Sequence, residues 1–184
     1  SDGAFQSTNR RPSLIRLKEV LQEWPLSPEG RRSLFHSISY IVTAAGEGKY
    51  GCTIIVDPGE PPLHLPGQII ASPLRLMPME HLRLAAALAK VDGALHIDAN
   101  LNLRAFACLM DGPSIPGEDR GRGARYNSAL RFTAAHPSLV VVVVSFDRPV
   151  SVIQNGVDFS QPPVWPPIPE KMQTPPALAD WLKK

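Results

Sequence analysis

Apolar positions along the chain change period several times, and each change marks an element. Leu14, Leu17, Val20 and Leu21 fall at helical spacing behind Ser13, a residue able to cap a helix, and the run stops at Pro25. Ser27-Pro28-Glu29 opens a second helix with Leu34, Ile38, Ile41 and Val42 on one face, and Gly46 is expected to end it. Tyr50 to Val56 is a nearly unbroken apolar run closed by Asp57-Pro58-Gly59, which predicts a buried strand and a turn. A proline-broken segment leads to a brief strand over Gln68 to Leu74. A third helix then starts at Pro78 or Met79, carries Leu82, Leu84, Ala85, Leu88 and Ala89, and delivers the chain to Asp92.

Two strands, Ala94 to Ile97 and Leu103 to Met110, are predicted to form an antiparallel hairpin about Asp98-Ala99-Asn100. Leu95 and Ile97 alternate with His96 and Asp98, so one face of the first strand should be buried and the other polar. A loop rich in glycine, proline and charge runs to Gly123, and a helix from about Arg125 to Ala135 stops at His136, before Pro137. Leu139 to Phe146 predicts a central strand, Asp147-Arg148-Pro149 turns it into Val150 to Ile153, and Asn155-Gly156 ends that partner. The pattern predicts a mixed α/β domain, a central sheet of roughly six or seven strands flanked by helices on both faces. Residues 1–49 form a lead-in and two helices, 50–156 the core, and 157–184 a proline-rich tail. The tail should carry a short helix over Ala177 to Leu182, with Trp165, Leu178 and Trp181 as anchors.

Composition narrows the picture. A chain of 184 residues suits one core, and a formal charge of +2 lacks the concentrated basic face that nucleic acid requires. Cys52 and Cys108 each sit in an apolar run with no metal or redox spacing, which reads as two buried thiols in a cytoplasmic setting. No apolar run has the length of a membrane span. The opening at Ser1 leaves room for a longer parent protein.

Candidate chemistry is confined to two places. Asp92-Gly93 puts a carboxylate beside a residue with no side chain, a possible oxygen ligand for a magnesium-like ion; a plain helix-to-strand turn is the alternative. The loop Glu118-Asp119-Arg120-Gly121-Arg122-Gly123-Ala124-Arg125 joins flexible backbone, guanidinium groups and a helix start, as a phosphate site does, although a solvated charged loop would look the same. Arg125 lies nearest the helix start. The five histidines are scattered, and no Gly-x-Ser-x-Gly or Gly-x-x-x-x-Gly-Lys-Ser/Thr motif is present, so zinc, hydrolase and P-loop chemistry lose their basis.

With these residues assembled, residues 50–156 resemble the diadenylate cyclase domain, in particular the nucleotide-binding domain of DNA-integrity-scanning diadenylate cyclases. Leu88-Ala89-Lys90-Val91-Asp92-Gly93-Ala94-Leu95 looks like that family's helix leading into its Asp-Gly-Ala motif. The family's Gly-Thr-Arg-His-Arg-Ala-Ala corresponds to Gly123-Ala124-Arg125-Tyr126-Asn127-Ser128-Ala129. The resemblance implies nucleotide contacts from Asp92, Gly93, Ala94, Arg122, Gly123, Arg125, Tyr126, Asn127 and Ser128. It also implies a metal ligand, and a catalytic role if active, in Asp92, with Mg²⁺ or Mn²⁺ entering with the nucleotide. In that family two domains face each other, each with one ATP, to make cyclic di-AMP, which implies a homo-oligomer. Here only Arg125 remains of the Arg-His-Arg core, and Asn127 stands where a permanent cation would face the triphosphate. The expectation is a degenerate domain that binds a nucleotide or cyclic dinucleotide as a sensor, with a fused effector, Tyr126 stacking on a base or lining the pocket. An active diadenylate cyclase and an assembly domain with a vestigial pocket stay as alternatives.

Overall fold

The computed structural model describes residues 14–116 and 118–160, without the side chain of Arg120. The lead-in through Ser13 and the tail from Gln161, with its predicted anchors and helix, lie outside the described residues. Among the described residues four helices, α1 (Ile15–Gln22), α2 (Pro28–Glu47), α3 (Met79–Leu88) and α4 (Ala124–Ala135), pack on one sheet. The strands are β1 (Cys52–Asp57), β2 (Gln68–Arg75), β3 (Ala94–Asp98), β4 (Asn102–Cys108), β5 (Val140–Val144), β6 (Ser151–Gln154) and β7 (Val157–Asp158). Their order is β2-β4-β3-β1-β5-β6-β7, so β1 is the middle strand. It runs parallel to β3 and antiparallel to β5, which makes the sheet mixed.

Side chains alternate across a strand, and here the alternation divides two hydrophobic layers. Ile54, Val56, Leu95, Ile97, Val140, Val142 and Val144 meet α1, α2 and α3, while Ile55, Ala94, Val141, Val143 and Ile153 meet α4. The valine run therefore serves both layers, as its unbroken apolarity predicts. Ser27 caps α2 by accepting from the Gly30 amide at 3.0 Å. The helix continues through Gly46 and ends one residue later than expected, at Glu47, because the Gly48 amide still reaches the Ala44 carbonyl.

Two other expectations are corrected. His96 and Asp98 do not face solvent: every residue of β3 is buried. The polar pair is tolerated because each has partners. His96 Nε2 lies 3.0 Å from Asp57 Oδ2, and the Asp57 carboxylate also accepts from the amides of Gly59 and Leu63, both at 2.7 Å. Asp98 Oδ1 accepts from the amides of Asn100 and Asn102 at 3.0 and 2.9 Å and so builds the β3–β4 turn. The strand expected to reach Phe146 stops at Val144, because its partner β1 begins at Cys52, opposite Val144. Asn155-Gly156 ends β6 as expected; both residues have positive φ, 50° and 70°, and turn the chain back into β7, a strand the pattern did not foresee.

Candidate functional site

The antiparallel pairing of β1 with β5 brings Gly51 and the segment after Val144 to one end of the sheet. Helix α4 starts beside them, behind a single 3-10 turn at Arg120–Arg122. Gly123 adopts φ +87° and ψ 169° at the head of α4, and a Cβ there would meet nothing within 4 Å. A residue with no side chain gives the helix no capping oxygen, so the first-turn amides, which have no acceptor inside any α-helix, are left for another partner. The result is a cleft of about 470 Å³, within the range of small-molecule sites.

Arg125 lines this cleft. Its side chain is half exposed, and its Nη2 lies 3.2 Å from Oδ1 of Asp92, whose side chain is 97% exposed. The two motifs, 33 residues apart in sequence, therefore meet in space. An exposed ion pair of this kind is weak, and a ligand can take over either partner. Gly51 sets the position of the guanidinium: a Cβ there would stand 3.2 Å from Arg125 Nη1 and 3.1 Å from the Val144 carbonyl. Behind it, burial pushes the Cys52 thiol up to about 12 despite the nearby Arg125 charge.

The next residues of α4 turn inward. Asn127 is 8% exposed; its Nδ2 donates to the carbonyls of Asp119 and Gly123 at 2.9 and 3.1 Å, which fastens the loop to the helix. Tyr126 is 9% exposed, and the Arg122 guanidinium covers its ring at 4.0 Å, so that face is closed to a base. Burial and the neighbouring Asp158 carboxylate raise its phenol. Arg122 Nη2 donates to Ser151 Oγ at 3.0 Å and to Asp158 Oδ2 at 3.1 Å, and the Ser151 hydroxyl donates to that same carboxylate oxygen. Arg122 lines the cleft, yet its charge is largely spent on β7.

Of the residues singled out from sequence, Asp92, Arg122, Gly123, Arg125 and Tyr126 line the cleft together with Ala124. Gly93, Ala94, Asn127 and Ser128 are not on its lining. Gly93 has φ +103°, and a Cβ would lie 2.6 Å from the Ala107 carbonyl carbon, so packing against β4 demands glycine there; Ala94 is buried in the sheet. Residues not foreseen are Gly51, Val144, Ser145, Phe146, Asp147 and Arg148. The available signal was the cluster of polar and cationic residues directly after the valine run. Arg148 Nη2 donates to the Gly121 carbonyl at 2.7 Å and so steadies the far wall.

Two carboxylates, Asp92 and Asp147, stand on the lining, and no group of three His, Cys, Asp or Glu side chains among the described residues could hold a metal ion. That donor set fits a magnesium-type ion only when ligand phosphates complete its shell. No helix among the described residues is long and apolar enough to cross a membrane.

A mixed sheet thus gathers a carboxylate, an arginine and an uncapped helix start on one cleft, an arrangement suited to an anionic ligand. The family model described as DAC, DisA bacterial checkpoint controller nucleotide-binding, matches residues 42–157, well over half of the chain. The chain belongs to that family. No curated protein matches its sequence. Among solved structures it is similar to a hypothetical membrane spanning protein from Bacillus cereus, with TM-score 0.53 and 20% identity over 66% of this chain and 59% of that one. It is also similar to DacA from Staphylococcus aureus, a double mutant, with TM-score 0.53 and 16% identity over 78% of this chain and 87% of that one. At these identities the likeness is one of fold.

Proposed function

We propose that the cleft binds a nucleotide or a nucleotide-derived signal such as a cyclic dinucleotide, that it does not condense ATP, and that the domain serves as a sensor within a larger protein. One observation carries the reading: Asp92 and Arg125 meet at 3.2 Å on the cleft, while Asn127, at the position of the family's second arginine, is committed to the loop carbonyls. Binding needs local neutralisation of phosphate, which Arg125 and the α4 amides supply. Phosphoryl transfer needs extra charge stabilisation in the transition state, and that is what an inward-facing neutral amide lacks. A Mg²⁺ or Mn²⁺ ion would enter with the phosphates, beside Asp92. A fused effector would receive the signal.

Titration calorimetry with ATP and cyclic di-AMP tests the binding. Asp92→Ala and Arg125→Ala are each expected to weaken it, the arginine change by roughly 10- to 150-fold, the loss typical of a hydrogen bond to a charged group. Unchanged affinity in both variants would remove the proposal. The retained Asp92–Arg125 pair also supports a second reading, an active diadenylate cyclase. Incubation of concentrated protein with ATP and Mn²⁺, followed by chromatography, separates the two: a cyclic dinucleotide product supports the enzyme and its absence the sensor.

A further inference from the structure

Two aromatic side chains line the cleft, and they differ in what they can offer a ligand. Tyr126 is nearly buried and carries Arg122 on its ring. Phe146 is 69% exposed. It lies two residues past the end of β5, followed by Asp147 and Arg148, on the same cleft as Arg125 and the start of α4. Among the described residues the aromatic contacts are Phe132 with His136, Lys90 with Tyr50 and Arg122 with Tyr126, and none involves Phe146. A single exposed hydrophobic residue is ordinary on a protein surface and by itself argues nothing. What sets Phe146 apart is its company. A concave site with anion-binding groups and an open π-face presents surfaces that match the two parts of a nucleotide, phosphate and base.

We propose that Phe146 is the base-recognition residue of this cleft, its ring stacking on a nucleobase whose phosphate is held by Arg125 and the α4 amides. This rests on the nucleotide-binding reading above and goes beyond it by naming the residue that distinguishes a nucleotide from a bare polyphosphate. Stacking on a ring is tolerant of base identity, because every base has a π-face. The site therefore selects for the presence of a base more than for its hydrogen-bonding edge.

The test uses the whole chain, with ATP and cyclic di-AMP as base-carrying probes and inorganic tripolyphosphate as the base-free one, all in Mg²⁺. Because Phe146 is exposed, Phe146→Ala should leave the fold intact, which thermal melting checks. It is expected to weaken whichever base-carrying probe binds by roughly 5- to 150-fold, the range for loss of one stacked base, and to leave tripolyphosphate affinity unchanged. Phe146→Trp should restore the loss. Equal weakening of nucleotide and tripolyphosphate, or of neither, overturns the assignment. So does a Phe146→Ala variant that changes only the sedimentation of the protein, which would make the ring a contact between copies. Binding that is sensitive to Arg125→Ala but not to Phe146→Ala removes this inference alone; no binding of any probe removes the site reading as well.

Discussion

Replacing Gly93 by alanine asks whether the glycine of Asp-Gly-Ala serves the ligand or the sheet. A Cβ at this position would lie 2.6, 2.7 and 3.0 Å from the carbonyl carbon, Cα and carbonyl oxygen of Ala107. Those are backbone atoms of β4, at an irregularity in its pairing with β3 where Ala107 itself takes φ 52°, so relief would require the backbone to move and not merely a flexible side chain. Overpacking of this kind costs ~1–3 kcal/mol, and the φ of +103° adds strain of similar size, ~1–3 kcal/mol. Gly123→Ala is the internal control. Its φ of +87° carries the same kind of strain, but nothing lies within 4 Å of the added methyl. The difference between the two variants thus isolates the contact with Ala107, about 1–3 kcal/mol, or roughly 2–12 °C in melting temperature for a chain of this size. Thermal denaturation followed by circular dichroism measures it. If Gly93→Ala melts at or above Gly123→Ala, the steric account is refuted, and a ligand-side role for the glycine regains its place.

Further outcomes follow from the buried polar groups. Burial alone would raise the Asp57 carboxyl, but hydrogen bonds from His96, Gly59 and Leu63 outweigh it and hold it below the ordinary carboxylate range. Its stabilising contribution is therefore fully present above the unfolded-state value near ~3.9 and is lost as pH falls through the lower folded value; urea denaturation of wild type and Asp57→Asn should converge as pH drops toward and below that range, and a constant gap would contradict the assignment. Arg122→Ala strips the cation from Asp158, whose side chain is only 4% exposed but still accepts from the Ser151 hydroxyl and the Ser160 amide, and is expected to cost ~1.5–3 kcal/mol of stability by chemical denaturation, the typical loss of a hydrogen bond to a charged group; a loss below ~1 kcal/mol would mean that water reaches the carboxylate. Burial raises Cys52 to about 12 and Cys108 to about 11, so both thiols should be inert to an aromatic disulfide reagent at pH 8 until denaturant is added. Rapid labelling of native protein would disprove their burial.

Periodicity carried most of the fold because most elements answer to one local rule each. Ser27-Pro28 starts α2, and Val140–Val144 can only be a doubly covered strand. What local pattern could not supply was adjacency. His96 looks like a solvent-facing residue until β1 is set parallel to β3, which brings Asp57 to it across the sheet. Strand order also hid half of the cleft, since Gly51 and Phe146 line it together only because β1 and β5 pair in antiparallel register. The motif residues were legible as types, but not as directions. Asp92 and Arg125 point to one another, whereas Asn127, two residues beyond Arg125 on the same helix, serves the loop behind it.

The reach of Arg122 has a consequence for how the domain ends. A two-residue strand such as β7 has little hold of its own, and here Asp158 is pinned by a guanidinium that also forms part of the ligand cleft. The same stretch is closed off by Phe159 donating to the Val152 carbonyl at 2.9 Å and by Ser160 accepting from the Val152 amide at 2.8 Å. The cleft wall and the chain's exit from the sheet thus share one mooring. Arg122 therefore does two jobs at once, lining the ligand cleft and holding the short last strand to the sheet.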